Sequence, residues 1–320
     1  MMLLSVLIPV FNWDIRMLVA ELSEQILGLG EGLNRSIEVL VVDDGSTDRA
    51  IRDLNRSTFD SPKFGVRRAW CRYLENEVNV GRSMTRNRLV RESKGLNLLF
   101  LDADVLPDGE GFIESYVDII NKRMENFICC GGISYKRCNK QVEKEREFYL
   151  WYSSRVSVRP AMIRQMVPWA WVFTANVLIS RELAIMHGFD PNFSAYGYED
   201  IEWGIRLHKV TEILHLDNSV SHMGLLSKEV LLKKTKASAV NLLRLSCLHP
   251  NEARAIRVFR YAQFISCFPR ASLIALSWFI TAVFLRCNFN NYIMYILYQV
   301  DKMLSVGIAI KVQSQSAAKR

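Results

Sequence analysis

Residues 37–48 read IEVLVVDDGSTD, a run of mostly branched apolar side chains that ends at two aspartates. Such a run predicts a strand that is buried on both faces of a sheet. Asp43 and Asp44 would then lie at the carboxyl end of the strand, where Gly45 allows a tight turn and the next hydroxyl residues cap a helix. Carboxylates at this edge can accept hydrogen bonds from a ligand, although D-D-G alone is also typical of a helix-capping loop.

The segments around this strand alternate between buried-strand and helical spacing. Strand patterns cover residues 3–10, 69–74, 97–101 and 170–180. Helical patterns cover residues 14–29, 83–93, 112–120, 181–187, 198–209 and 228–248, with a short helix after residue 51. This alternation predicts an α/β fold with a mostly parallel sheet flanked by helices. We expect a turn at Pro107 and a mobile loop or a helix within residues 135–166.

A second acidic pattern, LFLDADVLP at residues 99–107, follows another apolar strand. Because strand side chains alternate, Asp102 and Asp104 project to the same side. One carboxylate can then hold a hard divalent cation while the other holds the metal's water or a ribose. A solvated turn is the usual explanation of D-x-D alone, but this strand carries the pair to the same edge as Asp43 and Asp44.

A basic helix is predicted within residues 79–95, NVGRSMTRNRLVRESKG. Arginine's planar donors and a helix N-terminus both suit a phosphate or a base. Arg86 and Asn87 are the residues for which we expect such a contact. For Arg88 and Arg91 we expect a solvated basic face.

Two further motifs carry ionisable side chains. Glu199 and Asp200, in AYGYEDIEWGIRL, start a helix after a glycine turn. They are either partners of the helix dipole or a general base with an acceptor anchor, and the residues alone favour neither. His222 in VSHMG is either a structural histidine or a ligand for an ion such as Mn²⁺, and ligation requires that the fold bring it to Asp104.

Composition narrows the class of protein. The chain has 320 residues, of which half are apolar, so it can bury a full core and is not intrinsically disordered. Its seven cysteines include no C-x-x-C pair, which suggests neither a disulfide framework nor a zinc site. The N-terminus lacks a basic signal-peptide region, so we expect a cytoplasmic protein. No nucleic-acid partner is expected.

The C-terminal segment carries most of the positive charge. The net charge is +8, and residues 251–320 hold nine Lys or Arg against two acids, which leaves +7 in that segment. Residues 261–310 combine an apolar run with aromatic and basic residues, a composition that suits docking on the inner, anionic face of a membrane. A buried helical hairpin that completes the core is an equally good explanation. We expect a helical, basic extension over residues 226–320.

Taken together, SVLIPVFN, VVDDGSTD, N-x-G with T-R-N, LDAD and YED resemble the family 2 glycosyltransferases of the Rossmann-like GT-A fold. The segment FDPNFSAYGYEDIEWGIRL, with the later histidine, is similar to the β-1,4-galactosyltransferases and chondroitin-type polymerases. The resemblance implies a catalytic domain over residues 1–225. Its nucleotide-sugar half would cover about residues 1–130 and its acceptor half about residues 131–225.

The resemblance also implies roles for single residues. The donor nucleotide would be held by Pro9, Asn12, Asp43 or Asp44, Asn79, Arg86, Asp102 and Ala103. Asp104 and His222, with Asp102 close by, would hold Mn²⁺ or Mg²⁺. Asp200 would be the catalytic base, and Glu199 would orient the acceptor.

These roles imply an inverting, metal-dependent hexosyltransferase. It would move a sugar from a UDP-sugar to a glycan or lipid-linked saccharide, in the biosynthesis of a cell-surface polysaccharide. The alternatives are a sugar-phosphate nucleotidyltransferase, for which the N-terminal glycine-rich phosphate loop is absent, and a non-catalytic protein that binds a nucleotide-sugar.

Overall fold

The computed structural model describes residues 2–60, 71–122, 126–138 and 142–317. The chain divides into two compact units. The first comprises Met1–Asn139, Ser157–Pro191 and Trp203–Gly224, and the second comprises Lys140–Val156, Asn192–Glu202 and Leu225–Arg320. Residues 142–156 and 192–202 belong to the second unit by this division.

The regular elements are numbered along the chain. The strands are β1 Leu4–Val10, β2 Ile37–Asp43, β3 Cys71–Glu75, β4 Asn97–Leu101, β5 Val105–Pro107, β6 Ile128–Cys130, β7 Ile133–Ser134, β8 Asn176–Ser180, β9 Ile213–His215 and β10 Val220–His222. The helices are α1 Arg16–Gly28, α2 Arg49–Asp60, α3 Arg82–Glu92, α4 Phe112–Lys122, α5 Lys144–Val156, α6 Ala161–Arg164, α7 Arg181–Met186, α8 Glu199–His208, α9 Lys228–Leu248, α10 Pro250–Ala255, α11 Arg257–Ile265, α12 Arg270–Arg286 and α13 Asn291–Ala317. Short 3₁₀ turns cover Asn34–Ser36 and Pro168–Trp171.

The main sheet of the first unit has the strand order β3-β2-β1-β4-β8-β6-β9. Its neighbouring strands are parallel, except that β8 runs antiparallel to β4 and β6. The predicted α/β fold with a mostly parallel sheet is confirmed. Because β1 lies between β2 and β4 and is parallel to both, the residues that follow β2 and β4 reach the same edge of the sheet.

Burial on both faces explains the unbroken apolar runs of the central strands. Val6 and Ile8 of β1 pack in one core layer with Leu22 of α1. The intervening Leu7 packs in the opposite layer with Leu89 of α3. Successive residues of β1 therefore pack against helices on opposite faces of the sheet.

A second, three-stranded sheet has the order β5-β10-β7. We expected a turn at Pro107, but Pro107 ends β5 and pairs with Val220 of β10. Proline lacks a backbone donor, and it is accommodated here because β5 is an edge strand. The Asp108 carboxylate accepts hydrogen bonds from the hydroxyls of Ser134, Ser219 and Ser221 at 2.5–2.6 Å, so polar contacts join all three strands.

Two sequence predictions extend beyond the described residues. Residues 69 and 70 of the predicted third strand lie outside them, and β3 begins at Cys71. Residues 139–141 of the segment 135–166 also lie outside them. Within that segment, α5 and α6 are helical.

The second unit contains α5 and α9–α13. Its core is rich in aromatic residues, with Phe148, Phe284 and Tyr298 buried together. Asp301 of α13 is fully buried and accepts hydrogen bonds from Ser277 at 2.8 Å and Thr281 at 3.1 Å. Among the described helices, α13 is long and apolar enough over Asn291–Gln315 to cross a membrane, a property that core helices share.

Candidate functional site

The first part of the site is the loop that follows β2. Asp44 accepts hydrogen bonds from the backbone N–H groups of Val80 at 2.9 Å and Gly81 at 3.0 Å, and from Asn76 Nδ2 at 2.7 Å. A single carboxylate therefore holds the loop between β3 and α3 against the end of β2. Asn79 lies in this loop and is exposed.

Asp43 is fully buried beside it. Its carboxylate accepts hydrogen bonds from the backbone N–H of Ser46 at 2.6 Å and from the Tyr73 hydroxyl at 2.9 Å. Burial and the neighbouring Asp43 charge raise the pKa of Tyr73 above its usual range, so the phenol stays a donor. Gly45 has a φ of +70°, and a Cβ there would lie 2.6 Å from the backbone carbon of Val78.

The end of β1 is tied to the same loop by Asn12, which has a φ of +50°. Its backbone N–H donates to Ser46 Oγ at 2.8 Å, and its side chain donates to Thr47 Oγ1 and accepts from the backbone N–H of Asp48, both at 2.9 Å. A left-handed conformation in a non-glycine residue persists only where its surroundings fix it. Pro9, half-buried in β1, pairs with Val42 of β2.

Asp102 follows β4 and is held by a buried arginine. Arg86 of α3 is 1% exposed, and its Nη2 donates to Asp102 Oδ1 at 2.9 Å. The Arg86 guanidinium also lies 5.5 Å from the centre of the Phe189 ring. Burial raises the pKa of Asp102, but the charges of Arg86 and Arg82 and the Arg86 hydrogen bond outweigh it, so the pKa lies below its ordinary value.

Asp104 meets His222 across the small sheet. The antiparallel register of β5 and β10 pairs Val105 with His222, and the Met223 backbone N–H donates to the Asp104 carbonyl at 2.7 Å. As a result, His222 Nε2 lies 3.6 Å from Asp104 Oδ2. The two side chains therefore converge although they lie far apart in the sequence.

This pair fits a divalent cation. A carboxylate oxygen and an imidazole nitrogen are ligands that Mn²⁺ accepts, and their 3.6 Å separation lets one ion contact both. His222 Nδ1 is buried and has no hydrogen-bond partner among the residues that the structure describes. The described residues contain no group of three or more His, Cys, Asp or Glu able to hold a metal. Substrate oxygens and water can supply further ligands.

Gly224 completes the surroundings of this pair, and the sequence reasoning did not single it out. A Cβ at this position would overlap Asp104 Oδ2 and would lie 3.0 Å from His222 Cε1. Because glycine has no side chain, the Asp104 carboxylate can occupy this space. In the sequence, Gly224 is marked only by its position two residues after His222. That spacing points to the Asp104–His222 pair only once the pairing of β5 with β10 is known.

Other residues of the basic helix have structural partners. Asn87 donates to the Phe189 carbonyl and accepts from the Phe189 backbone N–H, both at 2.9 Å. We therefore assign Asn87 to the packing of α3 rather than to a contact with a phosphate or a base. Arg88 is half-buried and donates to the Glu75 carbonyl at 2.7 Å, so it links α3 to β3 instead of forming a solvated face.

Arg164, the last residue of α6, is nearly fully buried beside the ends of β6 and β9. It donates to the carbonyl oxygens of Cys130 at 3.0 Å and Leu216 at 2.5 Å, and its Nη1 lies 2.7 Å from His215 Nδ1. Burial, with a smaller contribution from the Arg164 charge, lowers the pKa of His215 to about 4. His215 is therefore a neutral structural histidine.

Glu199 and Asp200 belong to the second unit, in the first turn of α8. Glu199 is buried and Asp200 is half-buried. The preceding Gly197 and Tyr198 have φ values of +81° and +69°. The catalytic roles given to the two acids stay predictions.

Comparison with known proteins gives the same fold. One similar solved structure is a mannosyltransferase from Pyrobaculum calidifontis, in complex with GDP-Man and Mn²⁺. Its TM-score to this chain is 0.55, with 13% identity over 96% of this chain and 86% of the other. Residues 1–349 of S. aureus TarS give a TM-score of 0.50 and 13% identity over 98% and 92%. The expected GT-A fold, with a helical C-terminal extension, is confirmed.

Sequence comparison gives the family. Validoxylamine A glucosyltransferase from Streptomyces hygroscopicus subsp. limoneus is 28% identical over 231 residues, which is 64% of this chain and 48% of the relative. The chain thus spans about half the length of the curated relatives it matches. Residues 5–184 match the family model described as glycosyl transferase family 2, a stretch that holds the carboxylates after β2 and β4. The chain belongs to glycosyl transferase family 2.

Proposed function

We propose that this protein transfers a sugar, with inversion at the anomeric carbon, from a UDP-sugar to a hydroxyl of a glycan or lipid-linked saccharide. The observation that carries the proposal is the pairing of Asp104 with His222, beside an Asp102 that Arg86 holds at the carboxyl edge of a parallel sheet. Ligands bind at this edge in open α/β sheets. The place we propose for the reaction is the biosynthesis of a cell-surface polysaccharide, on the cytoplasmic side of the membrane.

The donor would be held by residues of the first unit. Asp43 or Asp44 would accept a hydrogen bond from the uracil, and the buried Arg86 would hold Asp102 in position toward the ribose. Asp104 and His222 would hold a Mn²⁺ or Mg²⁺ ion. When bound, the ion supplies positive charge that stabilises the leaving diphosphate.

The acceptor would be activated by Asp200. Its carboxylate would take the proton of the acceptor hydroxyl as the hydroxyl oxygen forms a bond to the anomeric carbon and the bond to the diphosphate oxygen breaks. Glu199 would orient the acceptor. These two roles rest on the similarity of residues 189–207 to the β-1,4-galactosyltransferases and chondroitin-type polymerases.

The relatives support this class of reaction. The matching sequence relative is a glucosyltransferase, and the mannosyltransferase of the same fold is in complex with a nucleotide-sugar and Mn²⁺. Its donor carries guanosine, so the donor nucleotide is a point that the experiment has to test directly.

The test is a donor screen followed by product analysis. The full chain is mixed with Mn²⁺ and a panel of UDP-sugars and GDP-sugars, and binding is read as a rise in Tm. A ligand at 100 times its Kd stabilises the protein by about 2.7 kcal/mol. Donors that bind are then incubated with saccharide acceptors, and release of the nucleoside diphosphate and the anomeric configuration of the product are measured.

We expect a UDP-sugar to bind, to release UDP with an acceptor and to give an inverted product. Binding without any turnover on a broad acceptor panel would support a non-catalytic sugar-nucleotide protein instead. A retained anomeric configuration would contradict direct displacement. Preference for a GDP-sugar would contradict the nucleotide that we propose.

A further inference from the structure

The outer side of α12 is strongly apolar and lies open to water. Between Arg270 and Arg286 this helix has no charged residue. Trp278 is 72% exposed and Phe279 is 57% exposed, and Ile274, four residues before Trp278, is also exposed. Residues at this spacing share one side of a helix.

The preceding helix continues the pattern. Tyr261, Phe264 and Phe268, in α11 and the turn after it, are exposed, and Phe264 is 76% exposed. The Arg260 guanidinium lies 5.7 Å from the centre of the Tyr261 ring. We call the exposed set the α11–α12 face. It consists of Tyr261, Phe264, Phe268, Ile274, Leu276, Trp278 and Phe279.

Such a face is costly in water. Monomeric soluble proteins rarely expose large apolar patches, and several exposed aromatic rings on adjoining helices mark a contact surface. The charge on these helices narrows the choice of partner, because residues 257–286 carry four exposed arginines, Arg257, Arg260, Arg270 and Arg286, and no Asp or Glu. Aromatic residues with arginines beside them and almost no exposed acid are typical of segments that lie in an anionic membrane interface.

The inner side of α12 packs against α13 through polar contacts, which keep α13 within the protein. Ser277 and Thr281 of α12 donate to the buried Asp301 of α13, and Lys236 Nζ of α9 lies 3.7 Å from the same carboxylate. A buried carboxylate of this kind is stable only with such partners. Although α13 has the length and composition of a membrane span, the hydrogen bonds of its Asp301 hold it inside the helical unit. The side of α12 that faces away from Asp301 is the exposed apolar side.

We propose that the second unit docks on an anionic membrane leaflet by inserting the α11–α12 face in the plane of the interface, without crossing the bilayer. Trp278, Phe279 and Phe264 would enter the boundary between headgroups and acyl chains. Arg257, Arg260, Arg270 and Arg286 would contact lipid phosphates. This inference goes beyond the sugar transfer proposed above and does not depend on it.

The experiment is vesicle flotation of the full chain. Vesicles contain either equal parts of phosphatidylglycerol and phosphatidylcholine or phosphatidylcholine alone, and the protein that floats is quantified. We compare the wild type with Trp278→Glu, Phe264→Glu and the double variant Arg270→Gln/Arg286→Gln. Met17→Glu is the matched control, because Met17 is 61% exposed on α1 of the first unit. Circular dichroism checks that each variant is folded.

We expect the wild type and Met17→Glu to float with the anionic vesicles. Trp278→Glu and Phe264→Glu should stay at the bottom of the gradient. Each arginine removed should lower the apparent partition coefficient by about fivefold, and added salt should act in the same direction. Light scattering of the same proteins without vesicles tests the competing occupant, a second copy of this chain.

Three results would overturn the proposal. The first is a wild type that does not float with anionic vesicles. The second is flotation that is equal for the wild type and the folded Trp278→Glu and Phe264→Glu variants. The third is a wild-type dimer that these substitutions convert to a monomer, since the face would then be an interface between two copies.

Discussion

The side-chain amide of Asn241 donates a hydrogen bond to the carbonyl oxygen of Gly197 at 2.7 Å. The same Nδ2 also donates to the Ala195 carbonyl at 2.8 Å, and Asn241 is 1% exposed. Within the second unit, α9 therefore fixes the turn that leads into Glu199 and Asp200. Both Gly197 and Tyr198 have positive φ values in this turn, and such a conformation needs external support.

Loss of these two hydrogen bonds should misplace the turn. We expect Asn241→Ala to lower kcat by roughly tenfold to a hundredfold, because a small displacement of a reacting group has an effect of that size, and to leave UDP binding near wild type. The free energy of unfolding should fall by about 1–3 kcal/mol. Faster amide exchange in residues 195–198 would separate this positioning effect from a general loss of stability, and unchanged exchange there would contradict it.

Asp200→Asn keeps the size of the side chain and removes its basicity. If Asp200 is the base, turnover should fall by about 10² to 10⁴, while the affinity for UDP and metal stays near wild type. Glu199→Gln should act through the KM for the acceptor. Steady-state kinetics with a fixed donor and a varied acceptor measures both. Near wild-type turnover of Asp200→Asn together with an inactive Glu199→Gln would exchange the two roles.

Asp104→Ala should abolish the Mn²⁺-dependent part of UDP binding. Without its cation, a bound diphosphate would lie near the Asp102 carboxylate and would lose the positive charge that the ion supplies. Calorimetric titration of UDP, with and without EDTA, measures the effect. Asp118→Ala is the control, because Asp118 is an exposed aspartate of α4. Wild-type binding that is indifferent to the chelator would reject the metal site.

Gly224→Ala tests the space beside the same pair. The added methyl would overlap Asp104 Oδ2, so we expect Mn²⁺-dependent UDP binding to weaken at least tenfold. Gly109→Ala is a matched control, because a Cβ at Gly109 meets nothing within 4 Å. Calorimetry of the two variants gives the comparison. Equal affinities for UDP would show that the Asp104 carboxylate does not need this space.

His215 should make the folded state sensitive to mild acid. Its pKa is about 4 in the folded protein and 6.5 as an ordinary histidine. Between these values the unfolded chain binds a proton that the folded chain does not, so stability falls as the pH falls from about 6.5 toward 4. The loss from this group should reach about 2 kcal/mol between pH 7 and pH 5.

The measurement is urea unfolding of the wild type and of His215→Gln at both pH values. The variant should lose less stability on acidification than the wild type. His208→Gln, at an exposed histidine of α8, should behave like the wild type. An equal pH dependence in wild type and His215→Gln would contradict a neutral buried His215.

The central strands of the large sheet were predictable because they are marked locally, whereas the three-residue strands β6 and β9 were not predicted. The runs at β1, β2 and β4 are apolar on both faces and end at polar residues, so the strand type and the ligand edge followed from periodicity. The three short strands of the small sheet carry no such pattern and were not predicted. β5 is three residues long and ends in proline, and its strand character depends on pairing with β10.

Contacts within the site were less predictable than its residues. The family resemblance joined Asp104 and His222 as metal ligands, but the residues alone did not place them together, and it is the β5–β10 register that brings the two side chains within 3.6 Å. The sequence also predicted that Asn87 contacts a phosphate or a base, whereas its side-chain amide is hydrogen-bonded to the backbone of Phe189. Such tertiary hydrogen bonds leave no periodic trace, since their partners lie on distant loops.

The pairing of β5 with β10 sets an order of events during synthesis. β1, β2 and β4 are all complete once residue 101 has left the ribosome, and their parallel ladder can form from that part of the chain. The Asp104–His222 pair can form only after β10, which contains His222, has been synthesised. A nascent chain shorter than this would carry the carboxylates of the sheet edge without the histidine. Contacts of such long sequence separation also form slowly. The formation of β10, the last strand of the first unit, therefore sets the time at which Asp104 and His222 come together.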